Sequence, residues 1–119
     1  MPERNGRARI QILRDKFDAM KRADEAAAES KATVEAFNAR LAAKKIIWAW
    51  PTIGAALTSK FHWLVNACDS CGIVLDMDLR VKRRNPDASI RVALPEVRCP
   101  RCNGHGRTRI TGLARFPSI

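Results

Sequence analysis

Cys68-Asp69-Ser70-Cys71-Gly72 and Cys99-Pro100-Arg101-Cys102-Asn103-Gly104 hold all four cysteines of the chain. Each is a C-x-x-C turn, and 27 residues, 72–98, separate them. Two such turns can offer two thiolates each, completing the tetrahedral all-sulfur shell of a structural Zn2+ site. Gly72 and Asn103 follow the second cysteine of each pair. These residue types tolerate the left-handed backbone that lets amide N–H groups point at sulfur. One zinc ion held by Cys68, Cys71, Cys99 and Cys102 is expected. Iron is the alternative, because sulfur ligands alone do not exclude it. A thioredoxin-type redox role would need a βαβ context that the flanking sequence lacks.

Outward from the cysteines, residues 61–116 read as a small antiparallel β module with one short helix. Phe61, Trp63, Val65 and Ala67 alternate as apolar positions before the first turn. From Ile73 the alternation is regular. Ile73, Leu75, Met77, Leu79 and Val81 point one way, and Val74, Asp76, Asp78, Arg80 and Lys82 point the other, the period of a half-buried strand. Asn85-Pro86-Asp87 reads as a helix start, with Ile90 and Leu94 on one face and Pro95 ending it. A last strand is expected from Arg107 to Phe116. Thr108, Ile110, Ala114 and Phe116 would lie on one face, and Arg107, Arg109, Thr111, Leu113 and Arg115 on the other. A module of about 55 residues buries little apolar surface, so metal binding supplies much of its folding energy.

Residues 6–47 contain no proline and are rich in Ala, Glu, Lys and Arg, which favours helix. Ile10, Leu13, Phe17 and Met20 form an a/d seam that continues through Asp24, Ala27, Lys31, Val34, Asn38 and Leu41. One reading is a single helix that pairs with a second copy as a coiled coil through Ile10, Leu13, Phe17 and Met20. The other is a bend or break near Glu29-Ser30-Lys31. Residues 48–60 form a hydrophobic junction, where Pro51 stops the helix and Thr52 can start a short turn. Trp48 and Trp50 are expected to anchor the helix onto the module by packing, with base stacking as the alternative. The fold class expected is α+β.

The chain of 119 residues carries a formal charge of +10. Residues 80–119 hold ten Lys/Arg and two acids. Arg80, Lys82, Arg83, Arg84, Arg107, Arg109 and Arg115 would gather on a paired sheet as one patch for nucleic-acid backbone. Against this, Asp76 and Asp78 could neutralise Arg107 and Arg109 across strands. His62 reads as a surface residue, and His105 as a non-ligand beside a full shell. No nucleophile–base arrangement or paired carboxylate points to catalysis. The apolar stretch 46–57 is too short to span a membrane, although its flanking lysines leave a surface association open. Met1–Arg7 lacks the apolar core of a secretory signal, so a reducing cytoplasm is expected.

On these residues, 61–116 resembles a zinc ribbon. Cys99-Pro100-Arg101-Cys102-Asn103-Gly104-His105-Gly106 also resembles one repeat of a DnaJ-type cysteine-rich domain. The first knuckle departs from that repeat and no further repeats follow, so no chaperone activity is carried over. Pro51-Thr52-Ile53-Gly54-Ala55-Ala56, Trp63, both knuckles, Asp78-Leu79-Arg80 and Pro86-Asp87-Ala88 are together similar to small uncharacterised bacterial zinc-ribbon proteins. That resemblance implies a fold and no activity. The function expected is a non-enzymatic zinc protein contacting DNA or RNA through its Arg-rich surface. The alternative is an adaptor or regulatory subunit docking on an acidic protein.

Overall fold

Helix-forming composition carries through in one element. The computed structural model describes residues 2–102 and 107–118, with side chains from Ile10 onward, and its first element is helix α1, Pro2–Ala42. It continues through Glu29-Ser30-Lys31, where the Thr33 hydroxyl donates to the Glu29 carbonyl at 3.0 Å. At about 1.5 Å per residue it is about 60 Å long. Only its second half packs: Val34 and Phe37 are buried and Leu41 lies against the core. The first half stands clear, and the molecule measures 73 × 28 × 24 Å.

The helix stops well before Pro51. Lys44 adopts a left-handed φ of 56°, its N–H donates to Leu41, and the Lys45 N–H donates to Arg40. This pair of bonds satisfies the last carbonyls as a glycine-ended helix would, with lysine in place of glycine. A short helix α2, Ile53–Thr58, follows, and the Thr52 hydroxyl caps it by accepting from the Ala55 N–H at 3.0 Å.

Three strands form one antiparallel sheet: β1, Trp63–Cys68; β2, Val74–Asp78; and β3, Thr108–Ala114. Their order is β2-β1-β3, so the two cation-bearing strand ends are not neighbours. Leu64 faces Met77 on one side and Leu113 on the other. These three line the core with Val34, Phe37, Ile53, Ala56, Leu79, Ile90 and Ala93.

Three alternations differ from the sequence expectation. In β1 the deeply buried positions are Leu64, Asn66 and Cys68, at 0%, 1% and 1% exposure; of the expected set only Ala67 is buried, and Phe61, Trp63 and Val65 are half-buried. In β3 the register shifts opposite Val65 and Asn66, so that Val65 faces Gly112 and Asn66 faces Ile110. The extra residue, Thr111, brings Ile110 and Leu113 to the same face, and Phe116 is left exposed. After β2 the chain turns, so Leu79 is buried while Val81 is exposed.

The expected helix after Asn85 is a 3-10 helix, Ile90–Glu96, capped by Ser89 rather than Asn85 and containing Pro95. The Asn85 side chain instead accepts from the Asp87 N–H, closing a tight turn. That turn meets the junction. The Ile53 and Gly54 N–H groups donate to Ala88 and Pro86 at 2.8 Å each, and the Ile90 N–H donates to Pro51 at 3.0 Å. Trp50 seats against Phe37, ring centroids 5.2 Å apart, and the Arg91 guanidinium lies over the Trp50 ring, 5.4 Å from its centroid. Trp48, expected to share this anchoring, is 78% exposed. It sits beyond the end of α1, where no core face reaches it.

Candidate metal centre

Local backbone explains the first knuckle. The Cys68 N–H donates to Ile73 and the Gly72 N–H to Cys68, each at 2.9 Å, closing the chain between β1 and β2. Gly72 has φ of 74°, the left-handed conformation expected there. The turn aims amides inward. N–H groups of Cys71 and Ser70 donate to the Cys68 sulfur and lower its pKa to about 6, against an opposing effect of burial. The second pair, Cys99 and Cys102, follows the 3-10 helix. Asn103 and His105 lie outside the described residues, so the expectations on them are not addressed.

The four sulfurs converge. Cys68 Sγ and Cys102 Sγ are 3.7 Å apart, Cys71 Sγ and Cys99 Sγ 3.5 Å, and all four lie within 4.8 Å of one another. None of the four forms a disulfide. A tetrahedron with metal–sulfur bonds of about 2.3 Å has edges of about 3.8 Å, so the quartet matches the size of such a shell. Cys68 and Cys99 are buried, Cys102 is half-buried and Cys71 is exposed, so the site sits at the rim of the sheet. Sharing the Cys68 sulfur pushes the Cys102 thiol up to about 12. A metal ion takes all four as thiolates, so its binding releases their protons. Cys68, Cys71, Cys99 and Cys102 can therefore hold a metal ion.

The expected single patch of cations is divided. Val74 and Thr108 lie beside Ala67 and Cys68, whereas Asp78 and Ala114 lie beside Trp63. Arg107 and Arg109 thus sit at the cysteine end, while Arg80, Lys82, Arg83 and Arg84 leave the opposite end of β2. Arg115 is also at that far end, its guanidinium 4.7 Å from the Phe61 ring centroid.

Local acids engage several of these cations. Arg80 pairs with Asp78 at 2.9 Å, Lys82 with Glu96 at 2.8 Å and Arg109 with Asp69 at 3.3 Å. Arg84 pairs with Glu96 at 3.0 Å and also donates to the carbonyls of Leu79 and Lys82. Its side chain is only 8% exposed, so Arg84 ties the turn together and offers no face to phosphate. The pairing of Asp76 and Asp78 with Arg107 and Arg109 does not form, because β1 lies between those strands. Asp78 takes Arg80, and Asp76 takes the N–H and hydroxyl of Ser118. Asp69, inside the first knuckle, is a partner the sequence reading missed. The bulge that sets the phase of Arg109 was not visible in the pattern.

Arg83, Arg101 and Arg107 have no acidic partner among the described residues and are exposed. A cleft of about 520 Å³ between α1 and the sheet is lined by Lys31, Lys60, His62 and Arg115 among others, with no acid among the described residues that line it. His62 is half-buried in that cleft rather than fully on the surface. Ile10, Leu13, Phe17 and Met20 are all exposed on α1. No helix among the described residues is long and apolar enough to cross a membrane.

Comparison with protein-family models, with curated proteins and with solved structures returns no match to this chain. The four-cysteine cluster, with its sulfurs within metal-binding distance, is consistent with a zinc-ribbon-like site.

Proposed function

We propose that the protein is a non-catalytic zinc module that contacts nucleic-acid backbone. The observation that carries this reading is the placement of exposed arginines around a four-sulfur centre. Arg101 lies between two of the cysteines, and Arg107 joins the first knuckle through the Asp69 N–H, which donates to its carbonyl at 2.8 Å. When bound, zinc would be held by Cys68, Cys71, Cys99 and Cys102 and would supply rigidity. A shell filled by four protein sulfurs has no open position for substrate, which favours a structural over a catalytic metal. Arginine suits phosphate through its forked N–H donors. Around the four sulfurs the described residues offer no helix or ribbon to base edges, so the contact is to backbone and insensitive to sequence. Four cysteines clustered for a metal rather than paired as disulfides fit work in a reducing compartment.

The test joins metal analysis to a salt titration. Protein purified without chelator should carry one zinc per chain. Binding to a labelled duplex or single strand should weaken steeply with salt, with a slope of log K against log salt of about −3 for three or four phosphate contacts. Arg101→Ala/Arg107→Ala should flatten that slope while the metal content stays the same. Binding that ignores salt, or survives the double substitution, would overturn the nucleic-acid reading.

A further inference from the structure

The free half of α1 carries an apolar seam with a one-signed border. Ile10, Leu13, Phe17 and Met20 are 55%, 65%, 70% and 66% exposed. At about 100° per residue they fall within about 80° of arc. Ile12, also 53% exposed, stands apart at c, about 80° from the edge of that arc; the four together form the narrow stripe of a seam for one partner helix. With Ile10 and Phe17 at a and Leu13 and Met20 at d, the flanking e and g positions hold Arg14, Lys16 and Lys21. In the sequence, Arg7 and Arg9 continue the same pattern. The acids Asp15, Asp18 and Glu25 fall at b and f, away from the seam. Among the described residues, no acid pairs with Arg14, Lys16 or Lys21.

This border argues against a second copy. In a parallel pair, g of one helix meets e of the other, setting Lys16 against Lys21, and the next a layer sets Asp24 against Asp24. In an antiparallel pair, e meets e and g meets g, again cation against cation. Either arrangement places like charges along both sides of a seam only four apolar side chains long.

We infer that this seam docks an amphipathic helix of another protein, apolar at its own a and d positions and acidic at its e and g positions. Its leucines or isoleucines would cover Leu13 and Phe17, and its carboxylates would meet Arg14, Lys16 and Lys21. So short a seam buries less than a standard interface, so the complex is reversible and depends on its charges. The inference is independent of the nucleic-acid reading, which rests on residues of the sheet end.

The test uses the full chain and a charge-swapped copy, Arg9→Glu/Arg14→Glu/Lys16→Glu/Lys21→Glu, with mass read by sedimentation equilibrium. Each should stay monomeric alone, and the mixture should form a one-to-one heterodimer. Affinity should fall at least about tenfold between low salt and an ionic strength that shortens screening to about 8 Å. Leu13→Ser/Phe17→Ser in the wild-type partner should abolish pairing. A synthetic helix with leucine at a and d and glutamate at e and g should bind the wild-type chain, and its lysine-flanked counterpart should not. Wild type that dimerises alone through Leu13 and Phe17 would overturn the inference in favour of a second copy. Preferential Phe17-dependent binding to anionic phosphatidylserine vesicles would overturn it in favour of lipid. Equal binding of both synthetic helices, or of neither, would remove the docking site. All substituted positions are on the free half of α1, and unchanged metal content and sheet signal report that the rest stays folded.

Discussion

Asn38 of α1 grips the backbone of Leu113 in β3 with both ends of its amide. Its Nδ2 donates to the Leu113 carbonyl at 2.9 Å, and its Oδ1 accepts from the Leu113 N–H at 2.8 Å. β3 is an edge strand, and this contact gives both backbone groups of Leu113 a partner outside the sheet. The approach is close: a Cβ at Gly112 would lie 2.9 Å from Asn38 Oδ1. Asn38→Ala should destabilise the protein by about 2 kcal/mol, because two part-buried backbone groups lose their partners together. Urea unfolding followed by tryptophan fluorescence measures it, and a loss indistinguishable from zero would show the clamp to be dispensable.

Removing the metal should loosen the sheet while much of the helical signal persists. The two cysteine turns lie at one end of a three-stranded sheet too small to hold itself, whereas α1 has strong intrinsic helicity. Without chelator, the four thiols should react slowly with a thiol reagent; with chelator they should react fast. Acidification should release the metal, because protons compete for the sulfurs. Cys99→Ser should behave as the chelated protein does. Equal thiol reactivity with and without chelator would argue against a bound ion.

Glu96 should contribute more at neutral pH than its exposed position suggests, and lose that contribution in acid. Hydrogen bonds from Lys82 and then Arg84 hold its carboxyl below the usual carboxylate range. A lowered folded pKa means that this contribution is complete above the unfolded value and is lost as pH falls through the folded one. Stability should therefore decline on acidification below the ordinary glutamate range. Glu96→Gln should remove that part of the decline and lower stability at neutral pH, because Arg84 keeps its charge and loses its acidic partner. Unfolding curves across pH compare the two.

Gly54→Ala should run against helix propensity. In an open helix the change would stabilise by about 1 kcal/mol. Here the added Cβ would lie 3.0 Å from the Pro86 carbonyl oxygen and 3.2 Å from its Cβ. The backbone carbonyl already accepts from the Gly54 N–H at 2.8 Å and cannot retreat without losing that bond. A net loss of about 1 kcal/mol is expected, read as a fall in the thermal midpoint. A gain would mean that the 86–88 turn is free to move.

Features that depend on local chemistry were legible in the sequence. The cysteine turns, the left-handed Gly72, the Thr52 cap and the long helix all follow from residue type and spacing within a few positions. Met77 and Leu79 likewise kept their inward phase. What failed was set by the partner element. The phase of β1 depends on which face α1 covers, and that choice buries Leu64 with Asn66. One inserted residue at Thr111 reversed the role of Leu113, and no pattern within β3 alone records a bulge. Asn38 read as a weak layer of a seam because its partner lies 75 residues away. For the cations, the sequence gives their number but not the strand order, which separates Arg80–Arg84 from Arg107 and Arg109.

A helix that stands half outside its own body changes how the molecule travels in solution. The radius of gyration is 19.6 Å, against about 13.5 Å for a compact chain of this length. A single copy will tumble slowly and leave a gel-filtration column early, at the volume of a heavier sphere. Apparent size calibrated on round standards would thus imitate a dimer, and stoichiometry should be taken from light scattering or native mass spectrometry.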